Sequence, residues 1–276
     1  MALKEAVFDL VQQEFKKAEP TWKTSALSAD EYHFLEEECG TPSDFDSLQL
    51  RITMFHLYKS GSVPAEVREC EFGRIIAIRH SPDQEIPWGL WGRILRLYHG
   101  KNKAKVFFLA SPSCRMLPKR KNVALGPAHI NGGYTNSCDN QTIVIYRAED
   151  ATRVLLHELQ HASCLDNHSL AVDLIEAETE AWAELLYVGL LSQGDKTRFY
   201  TLLKRQSEWM VGQNMAVTQR EHSYPWRYTI GKEQVWRRWG IITDHTASHT
   251  STGSLRLTAP PSMLIQKLFG VRSTIL

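Results

Sequence analysis

The stretch TIVIYRAEDATRVLLHELQHAS, residues 142–163, decides the fold. Its opening run of β-branched and aromatic residues is typical of a short buried strand. Asp150 then favours the start of a helix, and Val154, Leu155 and Leu159 follow at helical spacing. A strand that leads directly into an amphipathic helix predicts mixed α and β structure around this segment.

The chain before this stretch alternates between helical and strand patterns. Helical periodicity covers residues 3–17, 29–38, 44–59 and 88–98, and β-rich runs cover residues 71–79 and 106–110. Between the last of these runs and residue 142 lies INGGYT, residues 130–135, whose two glycines fit an extended edge segment. These elements predict a mixed N-terminal lobe that contains a small sheet.

The chain after this stretch is helical. Ser169 can begin a long helix that ends near Ser192, and further helices are expected over residues 197–211 and 261–268. We therefore predict an α+β fold with a mixed α/β region at residues 1–125 and a second region at residues 126–276 that ends in helices. One continuous domain is the alternative.

Composition excludes several classes of protein. The 276 residues carry 32 Lys and Arg against 31 Asp and Glu, so bulk charge does not favour nucleic acid or an acidic membrane as a partner. No apolar run reaches the length of a membrane span, and the N-terminus lacks the apolar core of a signal peptide. The five cysteines form no CxxC pair, which favours reduced thiols and a cytoplasmic location.

The chemistry is concentrated in His157-Glu158-Leu159-Gln160-His161, an HExxH pattern. On a helix, residues four apart share a face, with their Cβ atoms about 5–6 Å from each other. Both imidazoles can therefore bind one Zn²⁺ at about 2.0–2.1 Å. Glu158 lies one residue round the helix, where its carboxylate can reach a water on the metal. The pattern predicts a zinc site with a general base beside it.

A catalytic zinc needs a third protein ligand and one open position. The next predicted helix offers Glu176, Glu180 and Glu184, which are spaced by four and form one stripe. Because they interrupt an otherwise apolar segment, these carboxylates require partners, and a metal with its histidines would supply them.

An HExxH followed by eighteen residues and a glutamate resembles the gluzincin metallopeptidases. The resemblance implies a zincin-like fold with the motif on an active-site helix, and zinc held by His157, His161 and Glu180. It implies that Glu184 hydrogen-bonds His157 or His161 and fixes the ring orientation. Glu176 and Glu184 remain alternatives for the third ligand.

A closer resemblance is to uncharacterised metallopeptidase-like proteins of large DNA viruses. It is carried by INGGYT, TIVIYRAED, VLLHELQHA and ETEAWAE, which together span about residues 129–186. The resemblance implies a viral protein located in the host cytoplasm or the virion. The remaining residues resemble no family, so the resemblance concerns the predicted catalytic region alone.

Two departures from related families bear on the third zinc ligand and on the type of peptidase. The metzincin pattern would need Gly at 164 and His at 167, where this chain has Cys164 and Asn167, and His168 is one residue out of register as a third ligand. INGGYT lacks the GxMEN-type motif of the aminopeptidase gluzincins, which favours endopeptidase action on a polypeptide substrate.

The resemblance also implies a mechanism. Glu158 is the expected general base for a zinc-activated water, and it would pass the proton to the leaving amine. Candidates for stabilising the developing oxyanion are Tyr228 and His222, with Tyr224 between them. We expect the substrate to bind as an added antiparallel strand along Gly132, Gly133 and Tyr134. The two glycines would let the substrate backbone approach closely. A tight turn is the other interpretation of this segment.

Two other functions remain open. A non-catalytic interaction protein could keep zinc as a structural clip, although Glu158 would then have no purpose. A nucleic-acid-associated protease could use the basic residues of Lys119-Arg120-Lys121 or of Trp236-Arg237-Arg238-Trp239. Short basic runs on a neutral protein are usually solvated, which favours the peptidase.

Overall fold

The computed structural model describes residues 3–100, 103–120, 123–217, 225–243, 254–260 and Leu264. The chain forms two compact units. The sheet unit comprises Glu19–Cys114 and Asn131–Leu165, and the helical unit comprises Met1–Ala18, Arg115–Ile130 and Asp166–Leu276. The predicted boundary between residues 125 and 126 lies inside the middle segment of the helical unit.

The described residues are a mixture of helices and strands, as predicted for an α+β protein. The nine α-helices in this part of the chain are α1 (Leu3–Phe15), α2 (Ala29–Glu38), α3 (Leu50–Lys59), α4 (Trp88–Leu97), α5 (Pro127–Ile130), α6 (Ala151–Ala162), α7 (Val172–Ser192), α8 (Lys196–Val217) and α9 (Ile230–Arg238). The six strands are β1 (Lys23–Ser25), β2 (Ala65–Glu69), β3 (Gly73–Arg79), β4 (Ala104–Ser111), β5 (Gly133–Tyr134) and β6 (Ile143–Arg147). Short 3-10 helices lie at Asp44–Asp46 and Pro225–Tyr228.

All six strands form one mixed sheet in the sheet unit, in the order β1-β2-β3-β4-β6-β5. β3, β4 and β6 are parallel, while β1, β2 and β5 are antiparallel to their neighbours. The three parallel strands are almost wholly buried, as expected where helices cover both faces of a sheet. β5 is the last strand at one edge.

The two faces of the sheet carry different helices, because successive side chains of a strand point to opposite sides. One face packs against α2 and α3 through Leu35, Met54, Phe55, Ile76, Ile78, Phe107, Leu109, Val144 and Tyr146. On the other face, the Trp91 ring of α4 lies 5.2 Å from the ring of Phe108, and its indole donates to Thr152 Oγ1 of α6 at 2.8 Å. The HExxH helix therefore lies on the α4 face.

The helical unit is built around α7, which packs against α1, α8 and α9. Ala177, Ala181 and Leu185 form a fully buried stripe on α7. Trp236 of α9 is also fully buried, and its indole donates to the carbonyl of Ala181 at 3.0 Å. No helix in the described part of either unit is both long enough and apolar enough to cross a membrane.

Several element boundaries differ from the predictions for local reasons. The helix predicted over residues 44–59 is broken, because the Asp46 carboxylate accepts the backbone N–H groups of Leu50 and Arg51 at 3.0 and 2.9 Å. α7 begins at Val172 rather than at Ser169. Asp150 precedes α6 but has φ 59° and makes no side-chain cap. The helix predicted at residues 261–268 lies almost wholly outside the described residues.

Candidate functional site

The HExxH residues lie on α6, as predicted. β6 leads into this helix through a short turn, and Leu155, Leu156 and Leu159 bury its apolar face. This packing orients the polar side: His157 and Glu158 are 6% and 5% exposed, and His161 is half-buried. Helix periodicity and core packing together therefore fix the direction of the two imidazoles and the carboxylate.

The two histidines present their Nε2 atoms to each other. These nitrogens are 3.0 Å apart, and the ring centroids are 4.7 Å apart at an interplanar angle of 77°. Two nitrogens bound to one tetrahedral zinc at about 2.0–2.1 Å are separated by about 3.3 Å. His157 and His161 therefore fit the zinc that the gluzincin resemblance implies. Their ring nitrogens are donor atoms of the kind that can hold a metal ion.

Glu158 points toward the edge strand of the sheet. A Cβ placed on Gly133 would lie 3.3 Å from Glu158 Oε1 and 2.7 Å from Val154 Cγ1. Val154 and Glu158 are four residues apart, so they share the side of α6 that faces β5. Any side chain at position 133 would contact both of them, so close packing explains why a glycine stands at this position.

The predicted substrate-binding residues form the edge of the sheet. Gly133 pairs with Ile145 and Tyr134 with Val144 across to β6, and the carbonyl of Gly132 accepts the backbone N–H of Tyr146 at 2.8 Å. No strand among the described residues pairs with the outer edge of β5. The segment is thus an edge strand and not an isolated tight turn.

A disulfide joins the end of α6 to the loop between β5 and β6. Cys138 and Cys164 are bonded, both are exposed, and both donate their backbone N–H to the carbonyl of His161, at 2.9 and 3.1 Å. The prediction of five reduced thiols is therefore wrong for this pair. Of the three free cysteines, Cys39 is buried, and burial raises the pKa of its thiol to about 12.

The three carboxylates of the predicted stripe lie on α7 in the helical unit. Glu180 and Glu184 are 2% and 0% exposed, and Glu176 is half-buried. Lys232 Nζ of α9 donates to Glu184 Oε2 at 3.0 Å and lies 4.0 Å from Glu180 Oε2. Thr258 Oγ1 donates to the same Glu184 oxygen at 3.1 Å. A buried lysine thus supplies a positive charge beside the two more deeply buried acids of this stripe.

Tyr228, one of the predicted oxyanion residues, lies in the 3-10 helix Pro225–Tyr228 of the helical unit. Tyr228 is partly buried and packs against an apolar cluster that contains Leu125, Ile130, Leu255 and Leu257. His222 and Tyr224 lie outside the described residues. A role for Tyr228 or His222 stays a prediction.

The WRRW segment has acidic partners of its own in the described chain. In the WRRW segment, Arg237 pairs with Glu233 at 2.7 Å, Arg238 pairs with Glu178, and Trp236 is buried in the core. Lys121 lies outside the described residues. Because both arginines of WRRW are neutralised within the helical unit, this segment does not present an open basic surface.

A cavity of about 330 Å³ lies elsewhere in the helical unit, between α1 and α8 and the residues after α9. Its lining includes Lys4, Tyr200 and Ile242. None of the residues predicted to bind metal or substrate lines this cavity. The function must therefore be argued from the geometry of α6 and β5.

Two contacts of the site residues have no signal in the sequence. Lys232 is 48 residues from Glu184, and nothing in the sequence distinguishes it from an ordinary surface lysine. Cys138 is 26 residues from Cys164 in a set of widely spaced cysteines. Both pairs depend on tertiary structure, and neither pair follows a helix or strand period.

No protein-family model matches this chain, and neither a curated protein nor a solved structure matches it at a significant level. The functional interpretation therefore rests on the residues and their geometry.

Proposed function

We propose that this protein is a zinc-dependent metallopeptidase of gluzincin type that acts as an endopeptidase. The observation that carries the proposal is the 3.0 Å separation of the His157 and His161 Nε2 atoms, with Glu158 held beside them against the edge strand. A purely structural zinc site has no use for the carboxylate of Glu158. An edge strand beside the HExxH helix also supports a zincin-like arrangement within the sheet unit.

When bound, zinc would supply Lewis acidity and would lower the pKa of a water molecule. His157 and His161 would hold it through their Nε2 atoms. Glu158 would accept a proton from the attacking water and then donate it to the amine that leaves the cleaved peptide bond. Backbone groups of β5 would orient the peptide by hydrogen bonds of the antiparallel type.

The third ligand is proposed to be a carboxylate of α7. The spacing favours Glu180, and Glu176 is its competitor one helical turn earlier. Glu184 is the weakest of the three, because Lys232 and Thr258 both donate to it within the helical unit. Glu178, which pairs with Arg238 outside the stripe, provides a matched control carboxylate on the same helix.

The test combines metal content with proteolysis of a denatured protein such as unfolded casein. We expect one zinc per chain in the native sequence and in Glu158→Gln, with cleavage at least about a hundredfold slower in that variant. His161→Ala should lose the metal. Glu180→Ala should lose it too, whereas Glu178→Ala should keep both metal and activity.

The outcomes separate the alternatives. Undiminished cleavage by Glu158→Gln would contradict the mechanism. Stoichiometric zinc without cleavage by the native chain would identify a zinc-stabilised interaction protein instead. Zinc that survives Glu180→Ala but is lost in Glu176→Ala would move the third ligand to Glu176.

A further inference from the structure

Phe45 is an aromatic residue exposed at the surface of the sheet unit. Its side chain is 57% exposed, although it belongs to the short 3-10 helix Asp44–Asp46, which is otherwise well anchored. Large exposed apolar side chains are common singly, so exposure alone carries no function. The contacts around Phe45 make it different.

The backbone of Phe45 is fixed at both ends. Its N–H donates to Ser43 Oγ at 3.2 Å. Its carbonyl accepts a hydrogen bond from Asn131 Nδ2 at 3.1 Å and another from the Tyr146 hydroxyl. Asn131 precedes β5 and Tyr146 belongs to β6, so the exposed ring is presented rigidly beside the edge of the sheet.

The Phe45 ring stacks on Tyr134 of the edge strand. The ring centroids are 5.4 Å apart with an interplanar angle of 29°. Tyr134 is held in turn, because its hydroxyl donates to Glu38 of α2. Burial, followed by this hydrogen bond, raises the pKa of the Tyr134 phenol, so the ring stays neutral. The two rings form a fixed aromatic surface, which we call the Phe45–Tyr134 surface.

The register of the sheet relates this surface to the site on α6. Because Gly132 accepts a hydrogen bond from β6, the alternation of an antiparallel ladder turns the N–H and C=O of Gly133 to the outer edge. Directly opposed residues of antiparallel strands project to the same face. In a peptide added to this edge, the residue opposite Gly133 faces Glu158, and the residue opposite Tyr134 faces the aromatic surface.

We propose that the Phe45–Tyr134 surface selects substrates with a large apolar or aromatic side chain at the residue paired with Tyr134. This inference rests on the proposed function, since it takes an extended peptide on β5 as the substrate. It assigns Phe45 as a specificity-determining residue on the face of the sheet opposite the histidines. The surface binds the neighbour of the residue that faces Glu158, so recognition and chemistry occupy alternate positions of one peptide.

The test measures peptide binding without cleavage. The zinc-loaded Glu158→Gln protein is titrated with two dye-labelled decapeptides of one Gly/Ser/Ala sequence, one of them with a single central Phe in place of Ala. We expect the Phe peptide to bind about tenfold more tightly, as expected for the burial of one aromatic group against two others. Phe45→Ala should remove most of this ratio, and Phe45→Leu should reduce it to an intermediate value.

Leu57→Ala is the matched control, because it removes another exposed apolar side chain of the sheet unit, at 37% exposure, away from β5. It should leave the ratio unchanged. Equal binding of the two peptides, or a ratio that survives Phe45→Ala, overturns the inference. Cleavage of casein by the native chain reports on the proposed function separately. Phe45-dependent binding without cleavage would support the surface and contradict the peptidase.

Discussion

α6 and α7 both carry ionisable groups in their buried faces, but the two helices stabilise them differently. On α7, Glu180 and Glu184 lie beside a buried lysine of the same unit, and Glu184 also accepts a hydrogen bond from Thr258. On α6, two imidazole nitrogens approach each other to 3.0 Å, an arrangement that suits a shared cation. A lysine balances buried negative charge on α7, whereas the paired nitrogens on α6 have the spacing to bind a metal.

Buried carboxylates on an apolar helix can be balanced by a lysine as well as by a metal. An acidic stripe on an apolar helix requires positive partners, because uncompensated buried charge is costly. For Glu184 that partner is Lys232, whose ammonium group also donates to the carbonyl of Leu257 at 3.2 Å. The stripe therefore does not by itself identify a metal site. The spacing of the histidines on α6 carries that argument.

Replacement of Lys232 should have the largest effect on stability. In Lys232→Met, Glu184 would remain buried without its cation, and we expect the free energy of unfolding to fall by about 3–5 kcal/mol. Urea denaturation monitored by tryptophan fluorescence would measure it. The double variant Lys232→Met/Glu184→Met should regain part of the loss, since it removes both members of the closer ion pair. A single variant as stable as the native chain would show that α7 does not depend on this pair.

The sequence predicted the elements whose apolar pattern is dense. β6 is wholly buried, and α6 has a continuous apolar face, so each appears within one or two residues of its predicted bounds. β2 was missed because its sequence AEVRE is dominated by charge. Charged side chains of β2 pair with each other, as Arg68 Nε does with Glu66 Oε1 at 2.6 Å. A strand of this kind has no apolar periodicity by which it could be predicted.

The predicted site was accessible from the sequence to different degrees. His157, Glu158 and His161 share one helix turn, so their grouping follows from local geometry alone. Contacts that close over long separations could not be predicted, and Lys232 with Glu184 is the clearest example. The break after Asp46 was also missed, because its cause is a side chain that accepts two backbone N–H groups.

The disulfide between Cys138 and Cys164 should have the next largest effect on stability, and it lies within the sheet unit. Cys138→Ser should lower the free energy of unfolding by about 3 kcal/mol, because the bond closes a loop across a sequence separation of 26 residues. Denaturation with and without a dithiol reductant would measure the change, and the reductant should have no further effect on the variant. Cys114→Ser, which removes an exposed free thiol, is the control.

The bond between Cys138 and Cys164 also bears on the predicted cytoplasmic location. Disulfides persist in oxidising compartments and are rare in the reducing cytosol. Mass spectrometry after alkylation under non-reducing conditions should find Cys138 and Cys164 linked in one peptide pair. Free thiols at both positions would contradict the bond and restore the original prediction of reduced cysteines.

The smallest expected effect on stability comes from Gly133→Ala, and it tests the contact between α6 and the edge strand. The new Cβ would lie 2.7 Å from Val154 Cγ1 and 2.8 Å from the carbonyl oxygen of Val144, so neighbouring atoms must shift. We expect a loss of about 1–3 kcal/mol. Val154→Ala should restore part of it by removing the closest obstacle. Because Glu158 lies on the same side of α6, cleavage should fall more in Gly133→Ala than stability alone explains, whereas zinc content should not change. A variant with native stability and activity would show that β5 and α6 are less closely packed than the contact with Glu158 requires.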